Sequence, residues 1–166
     1  MNEPKGVIIG LGNPLMADDG LGLAALEQIR PLIFHPRLEL VDGGTWGMNL
    51  LPIIEDHDHV LLLDAINTGA KPGTLVVLER DEIPRYLGTK VSPHQVDLRD
   101  VLALAEFRGK LPLHTVAIGL QPEIVEMRTG ISPSVRAHLG DLEAAVFQRI
   151  SAWGYHSRVI PALAHA

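Results

Sequence analysis

Apolar and polar residues alternate along this chain in two rhythms. Short apolar or β-branched runs, Val7–Leu11, Leu38–Asp42, Val60–Asp64, Thr74–Leu78 and Thr115–Leu120, predict five β-strands. The unbroken apolar character of Val60–Asp64 is that of a strand covered on both faces. Helical spacing fills most of the gaps. Leu21–Arg30 is apolar along one side and meets Pro31, which cannot continue a helix. Met48–Ile54 predicts a shorter helix with Pro52 near its middle. Leu98, Val101, Leu102 and Ala105 follow the i, i+3, i+4, i+7 rule. Val135, Leu139, Leu142, Val146, Ile150 and Trp153 form one stripe, with Ser132 as N-cap, Pro133 as first helical residue and Gly154 as stop. The tail Tyr155–Ala166 has no period and is expected at the surface, as an irregular end to a single domain over 1–166.

Strands alternating with helices predict an α/β fold, a three-layer arrangement with a mostly parallel sheet between helices. The link from Val60–Asp64 to Thr74–Leu78 holds Gly69, Pro72 and Gly73 and is too short for a helical crossover. Those two strands are therefore expected to be antiparallel neighbours, with Thr74–Leu78 at an edge.

Composition narrows the function classes. The 166 residues are 46% hydrophobic and 20% charged, in keeping with one globular domain. The net charge of -6, from 14 Lys+Arg and 20 Asp+Glu, argues against nucleic-acid partners and against anionic membrane surfaces. No apolar run approaches the roughly 20 residues of a membrane span, and Met1 to Lys5 lacks a signal-peptide core, so a cytoplasmic location is expected. Cysteine is absent, which removes disulfides, thiolate metal sites and a cysteine nucleophile. A metal site in this chain uses His, Asp, Glu or carbonyl oxygen.

The candidate chemistry lies in loops that follow strands. Gly10-Leu-Gly-Asn-Pro-Leu-Met-Ala-Asp-Asp-Gly20 links the first strand to the first helix and delivers Asp18 and Asp19 to a helix start. Asp64 ends the third strand, and His94 sits in Ser92-Pro-His-Gln95. In a doubly wound sheet the first and third strands are neighbours where the strand order reverses, so Asp19 and Asp64 are expected at one crevice. Two carboxylates and a neutral imidazole suit a divalent first-row metal with open positions. Each residue has a plainer reading. Either aspartate can cap the helix, Asp64 can bond its own turn, and a loop histidine can be merely solvated. Asp42-Gly43-Gly44-Thr45 and Gln121-Pro122-Glu123 also follow strands and border the same side, though on pattern alone an ordinary glycine turn is the better account of the former. His57 and His59 precede a strand, on the opposite side, and read as a solvated loop. A phosphate cradle fails in detail: Leu15 stands where the third glycine of a dinucleotide turn belongs, Pro14 removes a donor, and no Lys follows. Gly-x-Ser-x-Gly is absent too.

These pieces, with Leu63-Asp-Ala65 and Gly119-Leu-Gln-Pro-Glu123, resemble the [NiFe]-hydrogenase maturation endopeptidases in order and spacing across roughly residues 6 to 153. The resemblance implies a twisted sheet of five strands between helices. It implies metal contacts by an acid in the first turn, an aspartate ending the third strand and the histidine of the Ser-Pro-His-Gln loop, which are Asp19, Asp64 and His94 here. Some relatives carry Glu at the first of these positions. It implies as partner a [NiFe]-hydrogenase large-subunit precursor, whose own nickel is read before the chain is cut after a His or Arg, with zinc or cadmium able to substitute in the isolated protein. Asp18 and Asp42 are then the candidate proton acceptors in metal-assisted hydrolysis. A monomer without nucleic-acid or membrane partners is expected. Two other functions fit the same residues: a non-enzymatic module that proofreads the nickel site, and a free-standing metal-dependent peptidase.

Overall fold

A computed structural model describes residues 3–44, 47–87 and 98–156. Its centre is a sheet of β1 (Gly6–Leu11), β2 (Leu38–Gly44), β3 (His59–Ala65), β4 (Leu75–Glu79) and β5 (His114–Leu120) in the order β2-β1-β3-β5-β4. β2, β1, β3 and β5 are parallel, and β4 is antiparallel to β5.

The apolar runs dictate this layering. Along β1, β3 and β5 successive side chains enter opposite cores. Ile8, Leu61, Leu63, Val116, Ile118 and Leu120 face one core, which α1 (Leu21–Ile29) and α6 (Leu139–Ala152) close with Leu21, Leu26, Leu142, Val146 and Ile150. Val7, Ile9, Val60, Leu62 and Ala117 face the other, closed by α2 (Leu50–Glu55) and α4 (Leu98–Phe107) through Leu50, Ile54, Val101 and Leu102. Each fully buried Leu or Ile contributes about 1.5–3 kcal/mol, so the two cores hold the sheet's central strands firmly. Helices thus lie on both faces, as the alternation predicts. Pro52 falls in the first turn of α2, where its missing N–H breaks no helical bond.

Three expectations are corrected. β4 is at an edge and antiparallel, but its neighbour is β5 and not β3. β5 is buried on both faces for nearly its whole length and takes a central place, whereas β4 alternates exposed and buried and has only one face to cover. The expected single last helix is two, α5 (Pro133–Arg136) and α6, with α3 (Ile83–Tyr86) the remaining short helix. The break falls at His138, whose ring bonds the Asp141 carboxylate at 2.9 Å while its main-chain N–H reaches back only to Val135. The apolar stripe continues across the break. Tyr155, expected on the surface, is buried. Its hydroxyl lies 2.8 Å from His59 Nδ1, and the His59 ring is flanked by those of His114 and Trp153.

Candidate active site at the carboxyl ends of the strands

Four parallel strands end at one edge of the sheet, and their loops build the candidate site there. Gly12 is the point of convergence. Its N–H donates to Gly44 O at the end of β2 (3.0 Å). A side chain on Gly12 would place Cβ 1.8 Å from Asp19 O and 3.5 Å from Asp64 Oδ1, and its φ is +113°. Glycine is required here both by conformation and by space. The turn after β1 can therefore press Asp19 and Asp64 toward one crevice. Gly22 does the same work one step further on, letting α1 pass so close to β3 that a Cβ would meet Leu63 O at 2.1 Å.

Asp19 lies in a short 3-10 turn, Ala17–Gly20, that leads into α1. It is half-buried, and its Oδ2 accepts from Asn13 N at 3.0 Å. Asp64 is the penultimate residue of β3 and is 1 % exposed, with Oδ1 accepting from Ala65 N at 2.8 Å. The two carboxylates thus come from the neighbouring strands β1 and β3, as the strand order requires. Asp42 is at the same edge. A bulge at Gly43 shifts the β1–β2 register between Gly10↔Asp42 and Leu11↔Gly44 and leaves Asp42 exposed at the rim. A proton acceptor there has access to water. His94 and the rest of Ser92-Pro-His-Gln95 lie outside the described residues, as does Thr45. Among the described residues no three His, Asp or Glu side chains are grouped to hold a metal ion. Two carboxylates at one crevice suit a divalent cation.

Asp18 does something different from its neighbour. It is fully buried, and its carboxylate accepts from the main-chain N–H of Glu123 (2.9 Å), Ile124 (2.9 Å) and Ser132 (2.7 Å) and from the Ser132 hydroxyl (2.8 Å). Burial opposes its ionisation, but these bonds together outweigh burial and hold the carboxyl below its ordinary range. A carboxylate so engaged anchors the 122–132 loop. Ser132 has the extended backbone of an N-cap, but its hydroxyl goes to Asp18 and not to the α5 N–H groups.

Gln121, expected only to border the cleft, is a buried clamp. Its Oε1 accepts from Thr68 N at 2.7 Å, and its Nε2 donates to Asn67 Oδ1 at 3.0 Å. It therefore fixes the segment that leaves β3 just after Asp64. The signal in the sequence was a lone amide directly after an apolar strand, but its partners are too distant to infer. His57 and His59 lie at the amino end of β3, away from the site as expected, but they are not solvated. His57 is held by Ile53 O at 2.6 Å and Glu39 Oε2 at 3.0 Å, and His59 by Tyr155. No helix among the described residues is long and apolar enough to cross a membrane.

Comparison with known proteins bears on the family. The family model HycI, hydrogenase maturation protease, matches residues 24–149. The hydrogenase expression/formation protein HoxM of Azotobacter vinelandii is 40% identical over 142 residues, 84% of this chain and 69% of its own. Hydrogenase 2 maturation protease of Escherichia coli K12 is 36% identical over 133 residues, 79% of this chain and 81% of its own. The structure of the hydrogenase maturating endopeptidase HybD from E. coli matches with a TM-score of 0.83 at 32% identity, covering 90% of this chain and 94% of that one. A doubly wound sheet with acids converging at its carboxyl edge, and likenesses of this extent, place the chain in one family: it belongs to the hydrogenase maturation proteases and is a hydrolase, an endopeptidase.

Proposed function

We propose that the chain removes the C-terminal peptide from a [NiFe]-hydrogenase large-subunit precursor, and does so only once that precursor holds nickel. The observation that supports this reading is the close approach at Gly12 of the Asp19 main chain and the Asp64 carboxylate, which brings the turn after β1 against the end of β3. A crevice that offers two carboxylates binds a cation best when the cation brings ligands of its own. The nickel is then part of the substrate. Asp19, Asp64 and His94 would contact it, and it would polarise the scissile carbonyl or acidify a water. Asp42, exposed at the rim, would accept that water's proton. Asp18 holds the loop and takes no part in proton transfer. Zinc or cadmium would occupy the isolated site only at high concentration. The reading carries with it a cytoplasmic monomer.

Mass spectrometry of the precursor after incubation, with and without nickel, tests this. Release of a C-terminal peptide from the nickel-loaded precursor alone is expected. Equal release from both would remove nickel from the reading, and no release from either would favour a module that only inspects the metal site.

A further inference from the structure

The turn that carries Asp19 is fastened along its length to the 122–132 loop. Arg128 N donates to Leu15 O (2.9 Å), Ala17 N donates to Arg128 O (2.7 Å) and Asp18 N donates to Ile124 O (2.9 Å). Met16 and Arg128 form an isolated parallel bridge. Ala17 adopts a φ of +52°, a conformation that a residue with a side chain rarely holds without external support. Below the loop lies the buried Asp18 carboxylate with its bonds to Glu123, Ile124 and Ser132. An ordinary surface loop is not anchored this way.

What the anchoring presents is apolar. Leu15 is 60 % exposed, Val125 45 % and Met127 89 %, and none enters either core. The bond from Arg128 N to Leu15 O, beside the Met16–Arg128 bridge, brings the main chain at Leu15 next to that at Met127 and Arg128. The flanking Arg128 and Glu126 lie 3.6 Å apart and offset each other's charge. The centre of the patch is left without charge, and the partner it suits is apolar there as well. Contiguous exposed apolar side chains on an ordered support mark protein-contact surfaces, and methionine adapts to irregular ones.

We propose that Leu15, Val125 and Met127 form a pad on which the folded body of the large-subunit precursor seats while its C-terminal segment enters the Asp19–Asp64 crevice. This rests on the function proposed above. The occupant follows from continuity: Leu15 and Asp19 share one turn, so a protein substrate that reaches Asp19 passes over the pad. The pad sets which precursor is accepted, and the crevice does the cutting.

The test measures binding and cleavage separately, on the nickel-loaded large-subunit precursor encoded in the same genome. Leu15→Glu and Met127→Glu are compared with wild type and with Phe107→Glu, which alters a side chain 90 % exposed at the opposite edge of the sheet. The affected side chains face solvent, so the variants are expected to fold, checked by circular dichroism. The expected result is precursor affinity about tenfold weaker or more for Leu15→Glu and Met127→Glu. KM should rise correspondingly with kcat retained at saturation, and Phe107→Glu should behave as wild type. Unchanged affinity in both pad variants overturns the pad and leaves the protease reading standing. Equal loss in Phe107→Glu also overturns it, because the effect is then one of charge and not of place. Wild-type chain that does not bind the precursor at all overturns the pad. Binding that depends on the pad without any cleavage supports the pad and removes the protease reading.

Discussion

Replacing Asp18 by Asn tests whether the carboxylate is the keystone of the loop. The amide has nearly the same shape, so packing is preserved and hydrogen bonding alone is perturbed. If the amide oxygen takes the place of Oδ2, it can still accept from Glu123 N, Ile124 N and the Ser132 hydroxyl, but the NH2 group then faces Ser132 N, donor against donor. Flipping the amide is worse, since it opposes more donors. The loss is one charge-assisted bond, about 1.5–3 kcal/mol, plus a buried donor left unpaired, about 1–3 kcal/mol, giving an expected destabilisation on the order of 3–5 kcal/mol. Charge loss weakens the remaining bonds further. The pH dependence has a definite sign. The folded pKa is depressed, so the stabilisation is fully present above the unfolded carboxyl value near ~3.9 and is lost as pH falls through the folded pKa. The gap between wild type and variant must therefore be wide at neutral pH and shrink in strong acid. Urea unfolding at several pH values measures the gap, and amide hydrogen exchange at Glu123, Ile124 and Ser132 reports whether the loop opens without global unfolding. A difference under about 1 kcal/mol at neutral pH, together with unchanged exchange at those amides, would refute the reasoning.

Asp19→Asn, Asp64→Asn and His94→Ala should each lower precursor processing by about a hundredfold or more, because loss even of an outer partner at a metal site costs 10–100-fold. Near-normal cleavage by a folded variant would remove that residue from the metal contacts. Gly12→Ala should fail to fold or melt far below wild type in a circular-dichroism scan, since the added Cβ meets Asp19 O at 1.8 Å and φ is +113°; a normal melting temperature would mean that the turn can relax. His59 is held below the ordinary histidine range by burial and then by the neighbouring His114, against an opposing pull from Asp58. The unfolded chain takes up a proton near ~6.5 that the folded chain resists, so stability should fall as pH drops from there through the folded pKa. The urea midpoint of wild type relative to His59→Gln should record this, and a constant difference between pH ~7 and ~5 would count against it.

How much of this was legible in the sequence depended on the range over which each feature is decided. The central place of β3 was legible because Val60–Asp64 is apolar on both faces, a property of the run by itself. That Asp19 and Asp64 belong to the same edge of the sheet was legible because one follows β1, the other ends β3, and those strands are parallel neighbours. The place of β4 beyond β5 was not, since the short link limits direction but not which strand inserts. Nor could Asp18 be told from Asp19. They are adjacent acids in one turn, and only donors in the 122–132 loop assign one to the interior and the other to the crevice. The burial of His57 and His59 was hidden for the same reason, because Glu39 and Tyr155 are remote in sequence. The break before α6 had no signal in the apolar stripe, which runs through it.

The partners of Asp18 lie 105, 106 and 114 positions further along the chain. β4, in turn, leaves the ribosome before the strand that separates it from β3. A nascent chain that ends before His114 therefore contains Asp19 and Asp64 but lacks the donors that seat the turn of Asp19. It carries β3 with an open edge until β5 arrives. Long-range closure of this kind slows folding. The site is consequently a late product of folding, because the turn of Asp19 is seated only after the 122–132 loop has been made.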